Sequence, residues 1–249
     1  MSKEQQESGT EASVVEPERS LPQATIGDLP EPLRQAIARA GWAELMPVQA
    51  RAIPYLLDGR DLLVQSRTGS GKTGAFLLPI LDRIEPRRAA CQALVLAPTR
   101  ELARQVAEEA KMLSGDSGLR TAVVYGGVAY GPQLQAFRSG AHLVVGTPGR
   151  ILDHLLKRNL SLKQLQMLVF DEADRMLSMG FYPDMKAIQR HLPSRRIHTC
   201  MFSATFPAHV MRLAGEFLQE PEFLSLSRDH VHVTDVDHVY CVVPRMDKD

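Results

Sequence analysis

The sequence predicts a doubly wound α/β domain, a mostly parallel sheet with helices on both faces. Short apolar runs recur along the chain, each followed by turn residues and a helical pattern, the alternation that builds βαβ units. The runs are also continuously apolar instead of alternating with polar residues, as strands covered on both faces must be.

Residues 1–24 are rich in Glu, Gln, Ser and Pro and lack apolar periodicity, so a disordered tail is expected there. From Leu29 the texture changes: Leu33, Ala36, Ile37 and Ala40 repeat at helical spacing, and Gly41 closes the run as a C-cap. The strand runs follow as Leu62–Val64, Ala93–Leu96, Ala122–Tyr125, Leu143–Val145, Met167–Phe170 and Thr199–Phe202. The domain is expected over residues 25–228, with 229–249 as a linker. Ligands of open parallel sheets sit beyond the carboxyl ends of the strands, so the reactive side chains should come directly after these runs.

Composition narrows the function classes. A chain of 249 residues buries roughly three quarters of its unfolded surface, so no disulfide or metal staple is needed. Its hydrophobic fraction of 44% and charged fraction of 23% are those of a soluble globular protein. No apolar run nears the ~20 residues a bilayer demands, so no membrane span is expected. Lys plus Arg and Asp plus Glu balance at 29 each, which excludes a polycationic nucleic-acid binder and leaves only a local patch for such a contact. Cys91, Cys200 and Cys241 form no C-x-x-C pair, and the N-terminus has no apolar signal-peptide core, so a reducing cytoplasm is the expected setting.

The first strand run leads into Ser66-Arg-Thr-Gly-Ser-Gly-Lys72-Thr73 and then the apolar stretch Ala75–Ile80. Gly69 and Gly71 let backbone amides curl around phosphate oxygens at a helix N-terminus, whose dipole favours anions. Lys72 reaches the β and γ phosphates, and the Thr73 hydroxyl suits Mg²⁺. The strict pattern has Gly at the first position, where this chain has Ser66; a glycine-rich turn that binds nothing is the alternative. Against that alternative stands Asp171-Glu172-Ala173-Asp174, at the end of the run Met167–Phe170. Asp171 would hold Mg²⁺, partly through water, and Glu172 would orient or deprotonate an attacking water. Taken alone, the same tetrapeptide is equally a helix cap.

These residues belong to a longer series: Gly41-Trp42, Pro47-Val-Gln49, the glycine-rich loop, Pro98-Thr99-Arg100-Glu-Leu-Ala103, Gly126-Gly127, Thr147-Pro-Gly-Arg150, Asp171 to Asp174, and Ser203-Ala-Thr205. In that order they resemble the DEAD-box ATP-dependent RNA helicases, specifically the first of their two RecA-like domains, from about Leu29 to Leu226. The resemblance implies ATP and Mg²⁺ as ligands. Ser66, Thr68, Gly69, Ser70, Gly71, Lys72 and Thr73 then form the phosphate cradle, and Gln49 reads the adenine through an amide that both donates and accepts. Trp42 either stacks on the base or packs the Gln49 loop, and Ile26 stands where the family often has an aromatic. Pro98, Thr99, Arg100, Gly126, Gly127, Thr147 and Arg150 are implied contacts to the RNA backbone, sequence-independent and salt-sensitive. Thr99 to Glu101 and Thr147 to Gly149 also read as ordinary helix starts, and both readings can hold together. Ser203 and Thr205 are implied to link the Mg²⁺ site to interdomain closure through Asp174.

The family's H-R-x-G-R-x-x-R arginine-finger segment does not follow Phe206, so the chain reads as one part of a longer protein whose second RecA-like domain lies elsewhere. Losing an arginine finger costs about 10³- to 10⁵-fold in turnover, so this part is expected to bind nucleotide, hydrolyse it slowly and behave as a monomer. A nucleotide switch without turnover and a DNA-directed motor are the rival readings. His230, His232 and His238 resemble a metal site, but Val231 and Val233 alternate with the first two as in a half-buried strand. Met176, Met179, Met185, Met201 and Met211 read as core or interface filler.

Overall fold

The computed structural model describes residues 14–226, and from Leu62 onward parallel strands are separated by covering helices. In chain order the elements are α1 (Glu31–Arg39), α2 (Pro47–Leu57), β1 (Leu62–Gln65), α3 (Lys72–Arg83), β2 (Ala93–Leu96), α4 (Arg100–Ser114), β3 (Thr121–Val124), α5 (Tyr130–Arg138), β4 (Leu143–Gly146), α6 (Pro148–Leu156), β5 (Met167–Asp171), α7 (Ala173–Ser178), α8 (Tyr182–Gln189), β6 (His198–Ser203), α9 (Ala208–Phe217) and β7 (Glu222–Ser225). The seven strands form one sheet in the order β3-β4-β2-β5-β6-β1-β7, and every neighbouring pair is parallel.

The continuously apolar runs are explained by two cores, one on each face. Leu62, Val64, Val95, Val145, Val169 and Phe202 point to the face covered by α1 to α4. Their neighbours Leu63, Leu94, Leu96, Val144, Leu168, Phe170 and Met201 point to the other, covered mainly by α6 to α9. Side chains of a strand alternate between faces, so a strand buried on both sides needs apolar residues at every position. Met176, Met185 and Met201 are fully buried in the second core, whereas Met179 and Met211 are exposed.

Two features differ from the sequence-based expectation. The seventh strand, β7, pairs with β1 through the register Leu62↔Glu222 to Gln65↔Ser225. The disordered tail expected through Ala24 is corrected over residues 14–24, which lie against the domain. There Val15 exchanges backbone hydrogen bonds with Ser225 at 3.1 and 2.9 Å, Leu21 N donates to the Tyr55 hydroxyl at 2.9 Å, and Ala24 N donates to Ala50 O at 2.8 Å. The segment docks through these main-chain bonds together with a buried Pro17, Leu21 and Ala24 packed on the core, and a Glu16–Arg51 ion pair. His230, His232, His238 and the linker fall outside the described residues.

Phe76 of α3 is fully buried and meets Phe202 of β6 edge-on, with ring centroids 5.3 Å apart. This contact ties the helix that follows the glycine-rich loop to the strand that ends in Ser203. Phe76→Ala removes the ring from a site with little room to collapse. The expected loss is about 3–5 kcal/mol, read as a lowered urea midpoint at unchanged m-value.

Candidate active site

The sheet order places the carboxyl ends of β5, β6 and β1 side by side, and each carries part of the site. Ser66 N donates to Ser203 O at 3.0 Å, so the loop after β1 and the loop after β6 leave the sheet at one level. Between them opens a cleft of about 460 Å³ lined by Thr68, Lys72, Glu172, Asp174, Arg175, Thr205 and His209, among others.

The glycine-rich loop is held by its own polar atoms. Ser66 Oγ and Ser70 Oγ share a short hydrogen bond, and Ser70 Oγ donates to Arg67 O at 2.7 Å. Lys72, 7% exposed, donates from Nζ to Ser66 O at 3.0 Å, so its ammonium is drawn across the mouth of the loop. Gly71 has φ +89°, and a Cβ there would lie 2.6 Å from Met46 Sδ and 2.9 Å from Gln49 Nε2; both backbone and space require glycine. Thr73 sits half-buried one residue into α3, with Gly69 and Thr68 exposed on the loop.

Gln49 does not stand free in a base pocket. Its Oε1 accepts from Met46 N at 2.9 Å and its Nε2 donates to Gly71 O at 3.1 Å, and the residue is 3% exposed. The amide therefore ties the start of α2 to the glycine-rich loop. Of the two alternatives for Trp42, packing fits the geometry: a Cβ on Gly74 would meet the indole's benzo edge at 2.4 Å, so the ring abuts α3 beside Gln49. Ile26 packs partly buried against the same core.

Opposite the loop, β5 ends in Asp171, 2% exposed, whose Oδ1 has no hydrogen-bond partner. Burial pushes its carboxyl from the ordinary 3.8 up to about 7; the Lys72 ammonium pulls it down and the Glu172 carboxylate pushes it further up. A buried, unpartnered carboxylate oxygen facing a lysine fits Mg²⁺, which takes hard oxygen ligands and is commonly held by one or two carboxylates plus phosphates. Among the described residues no cluster of three or more His, Cys, Asp and Glu could hold a metal without such help. Glu172 follows at φ 54°, ψ 55°, a left-handed conformation costing a non-glycine residue of order 1 kcal/mol or more. Its carboxylate is paired with Arg175 at 3.3 Å.

Asp174 joins the two sides of the cleft. Its Oδ2 accepts from Thr205 N at 3.1 Å and Thr205 Oγ1 at 2.9 Å, and its own N–H donates to Ser203 Oγ at 3.2 Å. Burial pushes the Asp174 carboxyl up, but the hydrogen bonds from Thr205 and Ser203 outweigh it and leave it below its ordinary value. Sequence reasoning expected hydroxyls at Asp174, and Thr205 Oγ1 and Ser203 Oγ lie within hydrogen-bond distance of it. That reasoning missed Arg175 and His209 as cleft residues, since neither position bears a signal before α7 and α9 are folded.

The other half of the rim, at the ends of β3, β4 and β2, gathers the second group of residues. Thr99 caps α4, its Oγ1 accepting from Leu102 N at 3.2 Å, and Arg100 projects into solvent beside Gly127. Pro98 is buried beneath it. Thr147 precedes Pro148 at the start of α6 without a side-chain cap bond, so its hydroxyl is unused by the helix. Gly126 and Gly127 are exposed after β3, and Arg150 Nη1 reaches Val128 O at 3.3 Å. The helix-start readings of both segments therefore hold, with Arg100 exposed and Thr99, Thr147 and Arg150 half-buried.

A glycine-rich loop on one strand of a parallel sheet, faced by carboxylates on the next but one, defines a P-loop nucleoside-triphosphatase domain of RecA-like fold. Residues 46–213 match the DEAD/DEAH box helicase family, and the chain belongs to that family. It is 42% identical over 212 residues to the DEAD-box ATP-dependent RNA helicase CshA of Streptococcus pneumoniae, covering 85% of this chain and 40% of that protein. It is 44% identical over 221 residues to the ATP-dependent RNA helicase DeaD of Klebsiella pneumoniae, covering 88% of this chain and 34% of the relative. Among solved structures, a DEAD box protein from the hyperthermophile Methanococcus jannaschii superposes with a TM-score of 0.76 at 35% identity, over 86% of this chain and 57% of that one. The chain thus spans less than half the length of the curated relatives it matches.

The raised Asp171 carboxyl sets a pH dependence. The folded chain holds this proton up to about 7 while the unfolded chain releases it near 3.8, so stability contributed by the neutral form is lost as pH rises through that window. Without nucleotide or Mg²⁺, Asp171→Asn should therefore be more stable than the parent at pH 8 and show a smaller advantage at pH 5. Denaturant midpoints measured at both pH values check this.

Proposed function

We propose that this chain is the ATP-binding first motor domain of an ATP-dependent RNA helicase, a cytoplasmic monomer that works with a second RecA-like domain. One observation carries the reading: a single cleft brings together Lys72, Glu172, Asp174 and Thr205 from the ends of β1, β5 and β6. That is the set a phosphoryl-transfer site requires, a cation for the phosphates, a carboxylate for water and a relay to the neighbouring loop.

ATP would lie with its phosphates in the loop Ser66–Thr73, cradled by the amides around Gly69 and Gly71, with Lys72 turning from Ser66 O to the β and γ oxygens. Asp171 and the Thr73 hydroxyl are the groups that would hold Mg²⁺; when bound, the ion neutralises phosphate charge. Glu172 would orient the attacking water and accept its proton. Gln49 has one amide hydrogen and one lone pair left beyond its two backbone bonds, so it can report adenine to Gly71 directly. The half of the rim carrying Arg100, Gly126, Gly127, Thr147 and Arg150 would take phosphate and 2′-hydroxyl groups of RNA without reading sequence. β2 and β5 are adjacent in the sheet, so the two halves share one continuous edge. Closure onto a second domain would couple them and strain a bound duplex. No helix among the described residues is long and apolar enough to cross a membrane.

Lys72→Ala should abolish ATP binding in calorimetric titration. Glu172→Gln should bind ATP within a few-fold of the parent, yet lower RNA-stimulated hydrolysis by about 10²- to 10⁴-fold once the second domain is supplied. Undiminished ATP affinity in the lysine variant would overturn the assignment.

A further inference from the structure

Tyr130, the first residue of α5, is approached by two cations, Arg150 in α6 and Lys157 just past its end. The Arg150 guanidinium lies over its ring at 4.4 Å from the centroid, and Lys157 Nζ lies 4.5 Å from the same centroid. The ring has further partners. Its hydroxyl donates to Asp153 Oδ2 and accepts from Lys157 Nζ at 2.8 Å, and the buried His154 imidazole meets it edge-on at 5.0 Å. The two cations differ in what is left for a ligand. Lys157 is already paired with Asp153 at 2.9 Å. Arg150 forms no ion pair among the described residues; the ring and Val128 O at 3.3 Å are what hold it.

We propose that Tyr130 is a positioning residue for nucleic-acid binding: the clamped ring holds the Arg150 guanidinium in one orientation at the β3–β4 end of the rim, ready for a backbone phosphate. The proposal rests on the RNA-binding reading above and adds to it a residue outside the motif series. An arginine fork gives its bidentate phosphate contact only in a restricted set of orientations, and a long side chain on a helix start otherwise samples many. A guanidinium packed over a phenol ring and anchored by one N–H to Val128 O is already partly desolvated and restricted, so less side-chain freedom is lost when its remaining N–H groups meet phosphate.

The test compares the parent chain with Tyr130→Phe, Tyr130→Leu, Arg150→Ala and the Leu/Ala double variant. A short homopolymeric single-stranded RNA is titrated in fluorescence anisotropy, with ATP affinity measured in parallel. Tyr130→Phe keeps the ring and should stay within about twofold of the parent. Tyr130→Leu should weaken RNA roughly two- to tenfold, leave ATP affinity unchanged, and cost nothing further in the Arg150→Ala background. An equal cost in both backgrounds would mark a packing role and overturn the proposal, as would parent-like binding by Tyr130→Leu. A second readout needs no RNA. The Arg150 side-chain methylene protons should be shifted upfield by the ring in the parent and in Tyr130→Phe, but not in Tyr130→Leu. No such shift in the parent overturns the proposal whatever the titrations give. A parent chain with the shift but no RNA affinity overturns instead the RNA-binding reading, and with it phosphate as the ligand of Arg150.

Discussion

The parallel pairing of β1 with β6 and of β6 with β5 is the constraint on which the site depends. The registers Gln65↔Ser203 and Asp171↔Phe202 bring the ends of three strands to one level. Gln65 Nε2 adds a bond to Ala204 O at 3.2 Å, and Ser66 N continues the ladder beyond the last strand residue. The glycine-rich loop, the carboxylate pair and the Ser203–Thr205 turn can then share a cleft although more than a hundred residues separate the first from the last. A one-residue slip would invert which side chains reach the rim and which enter a core.

Within that frame the site carries unfavourable elements that the rest of the fold must offset. Lys72 and Asp171 are both withdrawn from water, Asp171 with an oxygen that bonds to nothing in the protein, and Glu172 is held left-handed. Buried charge and backbone strain of this kind persist only where surrounding structure over-determines them. Here the over-determination is visible: β5 lies between β2 and β6, and Asp174, two residues past the strained position, is pinned by Ser203 and Thr205. Stability is given up locally in a form that a phosphate-bound cation would return.

Much of this was legible in the sequence because the physics was local. Continuous apolar runs identified six strands, and glycines followed by lysine marked the strand-to-helix junction between β1 and α3 that lines the cleft. What escaped depended on tertiary approach. β7 offers only Phe223 and Leu224 between Glu222 and Ser225, too little apolar content to stand out before β1 provides its partner. The docking of residues 14–24 combines main-chain bonds with a few isolated side-chain contacts (Pro17, Leu21, Ala24 and the Glu16–Arg51 pair) that have no periodicity to mark them. Gln49 was recognised as a donor–acceptor amide, but its attachment to Gly71 follows from the 22-residue return of the chain over α2 and β1. The Tyr130–Arg150 stack spans two helices and had no periodicity to betray it.

The short segment that crosses from Val15 to Ala24 has a consequence for the molecule's solubility. β7 is a terminal strand, and a terminal strand offers bare main-chain donors and acceptors to any extended peptide that drifts past. By exchanging two hydrogen bonds with Ser225, Val15 occupies part of that template with the protein's own chain. Residues that composition marks as expendable therefore act as a selvedge, keeping the sheet from being knitted onto its neighbours at high concentration.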